Sequence, residues 1–187
     1  MIQQTIEKLG IDKYLLYMES EYEKEHKKFH LQQILKIYNI EKYTIHDDGS
    51  VTAHQNVNIS SRNLTKIPIN FREVEGSFYC PGNNLISLEG SPQKVKGDFN
   101  CSSNKLISLI GAPLEIGENF YCYCNYLINL EGIPQIIKGD FSCYGNPKLF
   151  NLNNLPLIYG NIICTPDLRE DINYKRHYLK KQIRDIK

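Results

Sequence analysis

A period of 21 residues runs through the middle of this chain and limits its fold more than any other feature. Phe78, Phe99, Phe120, Phe141 and Ile162 fall on that period, and one step back lies Val57. Ile59, Cys80, Cys101, Cys122, Cys143 and Cys164 follow two residues later, and Asn83, Asn104, Asn125 and Asn146 stand five residues after the aromatic. Next come Leu85, Leu106 and Leu127, then Leu88, Leu109 and Leu130, then Gly90, Gly111 and Gly132, then Pro92, Pro113 and Pro134. Val74, Val95, Ile116 and Ile137 close each coil, with Gly76, Gly97 and Gly139 ahead of the next aromatic. Agreement at so many positions marks a stacked repeat architecture.

On a strand, Phe and Cys two residues apart point to the same side, into a core. One turn per repeat places each strand beside its predecessor in a parallel sheet, about 4.8 Å away. An Asn side chain carries both donors and an acceptor. A stacked column of them is therefore expected to bond the backbone groups of a bend that the ladder leaves open. The leucines fill the interior behind the strand, and Gly and Pro turn the chain back on itself. No coil buries its apolar face alone, so each depends on its neighbours.

The segment Phe78-Tyr79-Cys80-Pro81-Gly82-Asn83-Asn84-Leu85 resembles the leucine-rich-repeat core L-x-L-x-x-N-x-L, with Phe and Cys in two leucine places. Over residues 57–166, five full coils and part of a sixth, F-x-C-x-x-N-x-L-x-S-L-x-G-x-P is similar to a 21-residue variant of bacteriophage and large-virus proteins. The lead-in segments Tyr43–Val51 and Asn63–Pro68 also resemble the way those proteins begin their arrays. The resemblance implies an α/β leucine-rich-repeat solenoid with a short-stranded parallel sheet. It also implies a viral protein in the host cytoplasm that binds and inhibits a host protein, such as a component of antiviral defence. The pattern departs at the ends: Arg62 occupies the first Asn position, and Leu149, Leu152 and Pro156 arrive one residue late.

The flanks read as caps. Residues 1–42 are expected to form an N-terminal helical region, 43–56 a β-hairpin cap, 57–166 the solenoid and 167–187 a C-terminal capping helix. Ile11, Tyr14, Leu15, Met18 and Tyr22 make a helical stripe that Leu31, Ile34, Leu35 and Tyr38 resume, predicting helix over 11–39. Asp48-Gly49 between two β-rich runs predicts a two-residue hairpin turn. That hairpin would shield an otherwise open strand edge. Leu168, Ile172, Leu179, Ile183 and Ile186 lie on one side of the terminal helix.

Composition removes several function classes. With 22 Lys+Arg against 21 Asp+Glu, the chain lacks the basic excess of a nucleic-acid backbone binder. Only the last segment is basic, through Arg169, Lys175, Arg176, Lys180, Lys181, Arg184 and Lys187. No run approaches the ~18 apolar residues of a membrane helix, and no export leader is visible at Met1–Lys8. A cytoplasmic protein is expected. Five cysteines at one repeat position should form an inward column of small apolar side chains. Disulfides are not expected in an unexported chain, and thiols in a line do not make a zinc tetrahedron. Cys124 alone stands at the end of a strand. His26 and His30 have the spacing of H-E-x-x-H, but Lys27 replaces the catalytic Glu. His46 and His54 sit near each other across the hairpin. With no phosphate loop and no nucleophile elbow, no catalytic residue, metal site or cofactor is expected.

What remains is binding. In a leucine-rich solenoid the residues between the inward ones face the concave side. Here they include Tyr79, Asn100, Ser102, Tyr121, Tyr123, Ser142 and Tyr144, an uncharged set in a chain with 13 Tyr and no Trp. Tyr supplies wide contact area with one polar tip and few rotors, as recognition surfaces require. The expectation is a non-enzymatic module that binds a protein through this face. The alternatives are nucleic-acid contact through the basic terminal helix with tyrosines stacked on bases, and structural self-association through an edge or the helical N-terminal region.

Overall fold

The structure, a computed structural model, describes residues 11–152 and 155–165. The chain divides into two compact units, Met1–Glu41 and Lys42–Lys187. In the first, helix α1 spans Ile11–Ile37. It ends in a Schellman turn: Asn39 has a φ of 55°, Ile40 N–H donates to the Leu35 carbonyl at 2.9 Å, and Asn39 N–H donates to the Lys36 carbonyl at 3.1 Å. Leu35 and Ile40, the apolar pair that accompanies such a turn, are buried. The charged middle of α1 is solvated, with Lys24–Glu21 at 2.7 Å and Lys27–Glu23 at 3.6 Å. Leu15, Met18 and Tyr22 of the helical stripe are exposed.

The second unit is a parallel β-solenoid. A hairpin of β1 (Tyr43–Ile45) and β2 (Val51–Ala53) opens it, paired antiparallel with Ile45 opposite Val51. Its turn is a three-residue loop, Asp47-Asp48-Gly49, and not the two-residue turn expected. His46 N–H donates to the Ser50 carbonyl and Gly49 N–H to the His46 carbonyl, with Gly49 at φ 79°. This is the turn-plus-bulge geometry in which Gly takes the left-handed place. Asp48 accepts from the Ser50 N–H and hydroxyl, and Arg72 reaches its other oxygen at 3.1 Å.

Each coil then contributes two short strands. Val57–Asn58 (β3), Phe78–Tyr79 (β5), Phe99–Asn100 (β7), Phe120–Tyr121 (β9), Phe141–Ser142 (β11) and Ile162–Ile163 (β13) form one sheet. Their order is sequential and their register is 21 residues throughout, Phe78 opposite Phe99 and Phe99 opposite Phe120. The other sheet carries β1 and β2, then Phe71–Val74 (β4), Lys94–Val95 (β6), Glu115–Ile116 (β8), Ile136–Ile137 (β10) and Leu157–Ile158 (β12). This second parallel sheet was not anticipated. The residues read as closing each coil are strand residues, and among the described residues the coils contain no helix. The hairpin therefore extends the sheet of closing residues, whereas β3 is the end strand of the Phe sheet.

The core is a set of files running along the solenoid. Phe78 and Phe99 stack with centroids 5.5 Å apart and Phe120 and Phe141 at 5.4 Å, while Phe99 and Phe120 meet tilted at 5.7 Å. Cys80, Cys101, Cys122, Cys143 and Cys164 make a second buried file beside the leucines and Val74, Val95, Ile116 and Ile137. Leu149 and Leu152 still point inward despite their late position, and Leu157 regains register opposite Ile136.

Two polar ladders close the coils. Asn104 Nδ2 donates to the Cys80 carbonyl of the coil before (3.0 Å) and to its own coil's Cys101 carbonyl (3.1 Å), while its Oδ1 accepts the Leu85 N–H at 3.0 Å. Asn125 and Asn146 repeat this pattern. Arg62 stands outside it for a physical reason: the ladder donates 24 residues back, and position 38 precedes the first coil. At the corner between the sheets, Asn56, Ser77, Asp98, Asn119 and Asp140 each accept the backbone N–H of the residue one coil on. Gly76, Gly97 and Gly139 are glycine there for space: a Cβ would overlap the side-chain oxygens of Asn56, Ser77 and Asn119. The expected C-terminal cap, its apolar side and its basic run lie outside the described residues.

Candidate functional site

The outer face of the Phe sheet carries the candidate site. Residues that alternate with buried Phe and Cys point away from the core, so the period that builds the ladder also aligns its exposed side chains. Tyr123 and Tyr144, one coil apart, stack with centroids at 4.8 Å and planes at 6°. Tyr121 meets Tyr123 edge to face at 6.4 Å. Tyr144 is exposed, and Tyr79, Tyr121 and Tyr123 are partly so. Tyr79 lies two coils from Tyr121, separated by Asn100.

The structure thus joins Tyr121, Tyr123 and Tyr144 in one ring cluster and sorts the polar members differently. Asn100 Oδ1 accepts the Ser102 N–H at 3.0 Å and the Ser102 hydroxyl at 2.7 Å, a local turn bond. Ser102 and Ser142 are only 1% and 2% exposed, so they shape the strand ends and offer almost no surface to a partner.

At the corner beside the tyrosines lie two carboxylates, Asp98 and Asp140. One oxygen of each is held by backbone: Asp98 Oδ1 accepts the Asn119 N–H and Asp140 Oδ1 the Asn161 N–H. The other Asp98 oxygen accepts from the Tyr79 hydroxyl at 3.4 Å. Burial raises the Tyr121 phenol above its ordinary pKa, and the charges of Asp98 and Asp140 raise it further. Burial and then the neighbouring Tyr123 do the same for Tyr144.

The other sheet presents the opposite chemistry. Glu115 lies between Lys94 at 2.8 Å and Lys138 at 2.9 Å, and Glu75 between Lys96 and His54, both at 2.7 Å. Carboxylates there face cations across the ladder. The hydrogen bonds from Lys94 and Lys138 lower the Glu115 pKa to about 2.

Among the described residues no group of three or more potential metal ligands converges. His46 bonds Thr52 and His54 bonds Thr44, each across the hairpin. Burial raises the pKa of Cys80, Cys101 and Cys122, and that of Cys143 to about 12. Cys124 is exposed. No helix among the described residues is long and apolar enough to cross a membrane.

Two features escaped the sequence reading although the same period carries them. Counting 21 residues from Asn56 would have found the corner column of Ser77, Asp98, Asn119 and Asp140. Counting from Ile86 gives Ile107 and Ile128, an exposed aliphatic stripe on the side of the coil between the two sheets. No family model, curated protein or solved structure matches the chain.

Proposed function

We propose that this chain is a non-enzymatic binding module of the leucine-rich-repeat kind, which engages a protein through the tyrosines of its Phe sheet. The observation that carries the reading is the cluster of Tyr121, Tyr123 and Tyr144, packed ring to ring across two coils, with Tyr144 exposed and the other two partly so. Phenol rings fixed by the backbone lose little freedom on binding, which favours a contact surface over an ordinary exposed strand. The contrast between faces supports it too. The ions of the second sheet satisfy one another, while Tyr121, Tyr123 and Tyr144 pack ring against ring. In the viral setting that the repeat style implies, the partner is a host protein that the module inhibits.

Carboxylates beside the rings weigh against phosphate, and so against the nucleic-acid alternative. The test is capture from host lysate with the wild-type protein and with the double variant Tyr123→Ala, Tyr144→Ala. One protein retained by the first and lost by the second, with thermal stability within a few degrees, is the expected outcome. A retained set that is identical for both proteins overturns the reading.

A further inference from the structure

The tyrosine face has a charged border whose carboxylates, unlike those of the opposite sheet, have no cationic partner among the described residues. Glu73, Glu75 and Glu115 all face Lys or His within the ladder. Asp98 and Asp140 carry no ion pair among the described residues. Each has one oxygen engaged by the next coil's backbone and is partly exposed. They stand two coils apart, about 10 Å at the spacing of parallel strands. Between them runs the strand of Tyr121, and the Tyr79 hydroxyl reaches Asp98 from the same face. Asn119, on the intervening coil, gives its Nδ2 to Asp98 and accepts the Asp140 N–H. All three corner side chains are thereby held in place before any partner arrives.

We infer that this border is the seat of an arginine side chain of the protein partner, its guanidinium lying over the Tyr121 ring between Asp98 and Asp140. The inference rests on the tyrosine face being the binding surface and names what it selects. A planar cation stacks on an aromatic face and also forks onto carboxylates, which an ammonium does less well. Placed above the middle strand, it lies within the Debye length of both carboxylates at physiological salt. Acidic side chains that pair with no cation among the described residues lower the stability of the free protein slightly through repulsion, and a partner's cation relieves that. The Tyr121 pKa is raised first by burial; the further rise from the Asp98 and Asp140 charges agrees with a site of negative potential.

The probe is a random peptide library displayed against the intact protein. Synthetic copies of the retained peptides are then measured by fluorescence anisotropy. Retained peptides are expected to share an Arg whose replacement by citrulline, the same shape without charge, weakens binding at least tenfold. The double variant Asp98→Asn, Asp140→Asn keeps the oxygen that accepts each backbone N–H, so it retains the fold. It should lose the same tenfold for the Arg peptides and nothing for their citrulline copies. Peptides that depend on Tyr123 and Tyr144 but share no Arg, or that bind the Asn variant equally, overturn this inference and leave the tyrosine face standing. A library that yields no tyrosine-dependent binder overturns both. The citrulline comparison uses the unaltered protein, so it decides the matter even if the Asn variant folds poorly.

Discussion

Replacing Asn104 by Ala tests the ladder that joins successive coils. The side chain is 5% exposed and makes four bonds at 3.0–3.2 Å: one accepted from Leu85 N–H and three donated to the Cys80, Cys101 and Ser102 carbonyls. Alanine leaves the buried Leu85 N–H without a partner, at a cost of about 1–3 kcal/mol, and strips a donor from the Cys80 and Cys101 carbonyls at about 1 kcal/mol each, while the Ser102 carbonyl keeps the Gly82 N–H. A loss of roughly 3–5 kcal/mol follows, a large share of the stability of a domain this size. At roughly 3 °C per kcal/mol, the melting temperature should fall by about 10–15 °C. The control is Asn129→Ala, which removes a single exposed bond to Glu131 N–H and should cost less than about 1 kcal/mol. Circular dichroism melts of the three proteins give the comparison, and hydrogen exchange at Leu85 reads the local effect. If Asn104→Ala melts within 3 °C of the control, the coils are held by their apolar files alone and the ladder argument fails. Asn104→Asp sharpens the test. It keeps the acceptor for Leu85 but replaces the donating Nδ2 by an oxygen facing carbonyls, which can donate only when protonated, so folding favours the acid form. Its folded pKa would then exceed the unfolded one, and the variant should lose stability as pH rises above about 4.

Acid should weaken the wild-type protein through Glu115, whose pKa of about 2 in the fold lies below the ordinary value of 4.5. The stabilisation is present above pH 4.5 and lost as pH falls toward 2. Melts of Glu115→Gln should lie below wild type at pH 7 and converge with it near pH 2; a constant gap would refute the pairing with Lys94 and Lys138. Among the six thiols, Cys124 is the exposed one, so a thiol reagent at pH 8 should label it in minutes and the buried file only on unfolding. Fast labelling at Cys101 would mean the coils open locally. Ser91→Ala should raise stability by about 0.5–1 kcal/mol, because the Ser91 hydroxyl is buried without a hydrogen-bond partner among the described residues and the next coil already has Ala112 at that position. A destabilised variant would reveal a bond to that hydroxyl.

Which parts of this molecule were legible in advance follows from the period. Residues that repeat because identical coils must stack declare themselves, and the Phe, Cys and Asn files fall where the spacing put them. Three features fell outside that logic. The second sheet is built from pairs such as Lys94–Val95 and Glu115–Ile116, in which one inward residue alternates with a charged one. Two residues are too short a run to carry a strand signature of their own. The hairpin loop needs three residues because Gly49, not Asp48, takes the left-handed conformation. The stripe on α1 was read from helical spacing, which identifies a face but not what covers it.

By itself the sequence determined that the chain stacks coil upon coil and which side chains form its interior, because those demands are local and recur at a constant interval. Only the tertiary structure decided which exposed residues meet. Tyr123 and Tyr144 are 21 positions apart in the chain and 4.8 Å apart in space. Asp98 comes to border the tyrosines while Glu115 is enclosed by lysines. Neighbourhood across coils depends on register and on which of two sheets a short strand joins. Both are settled by backbone hydrogen bonds between segments that no stretch of sequence brings together.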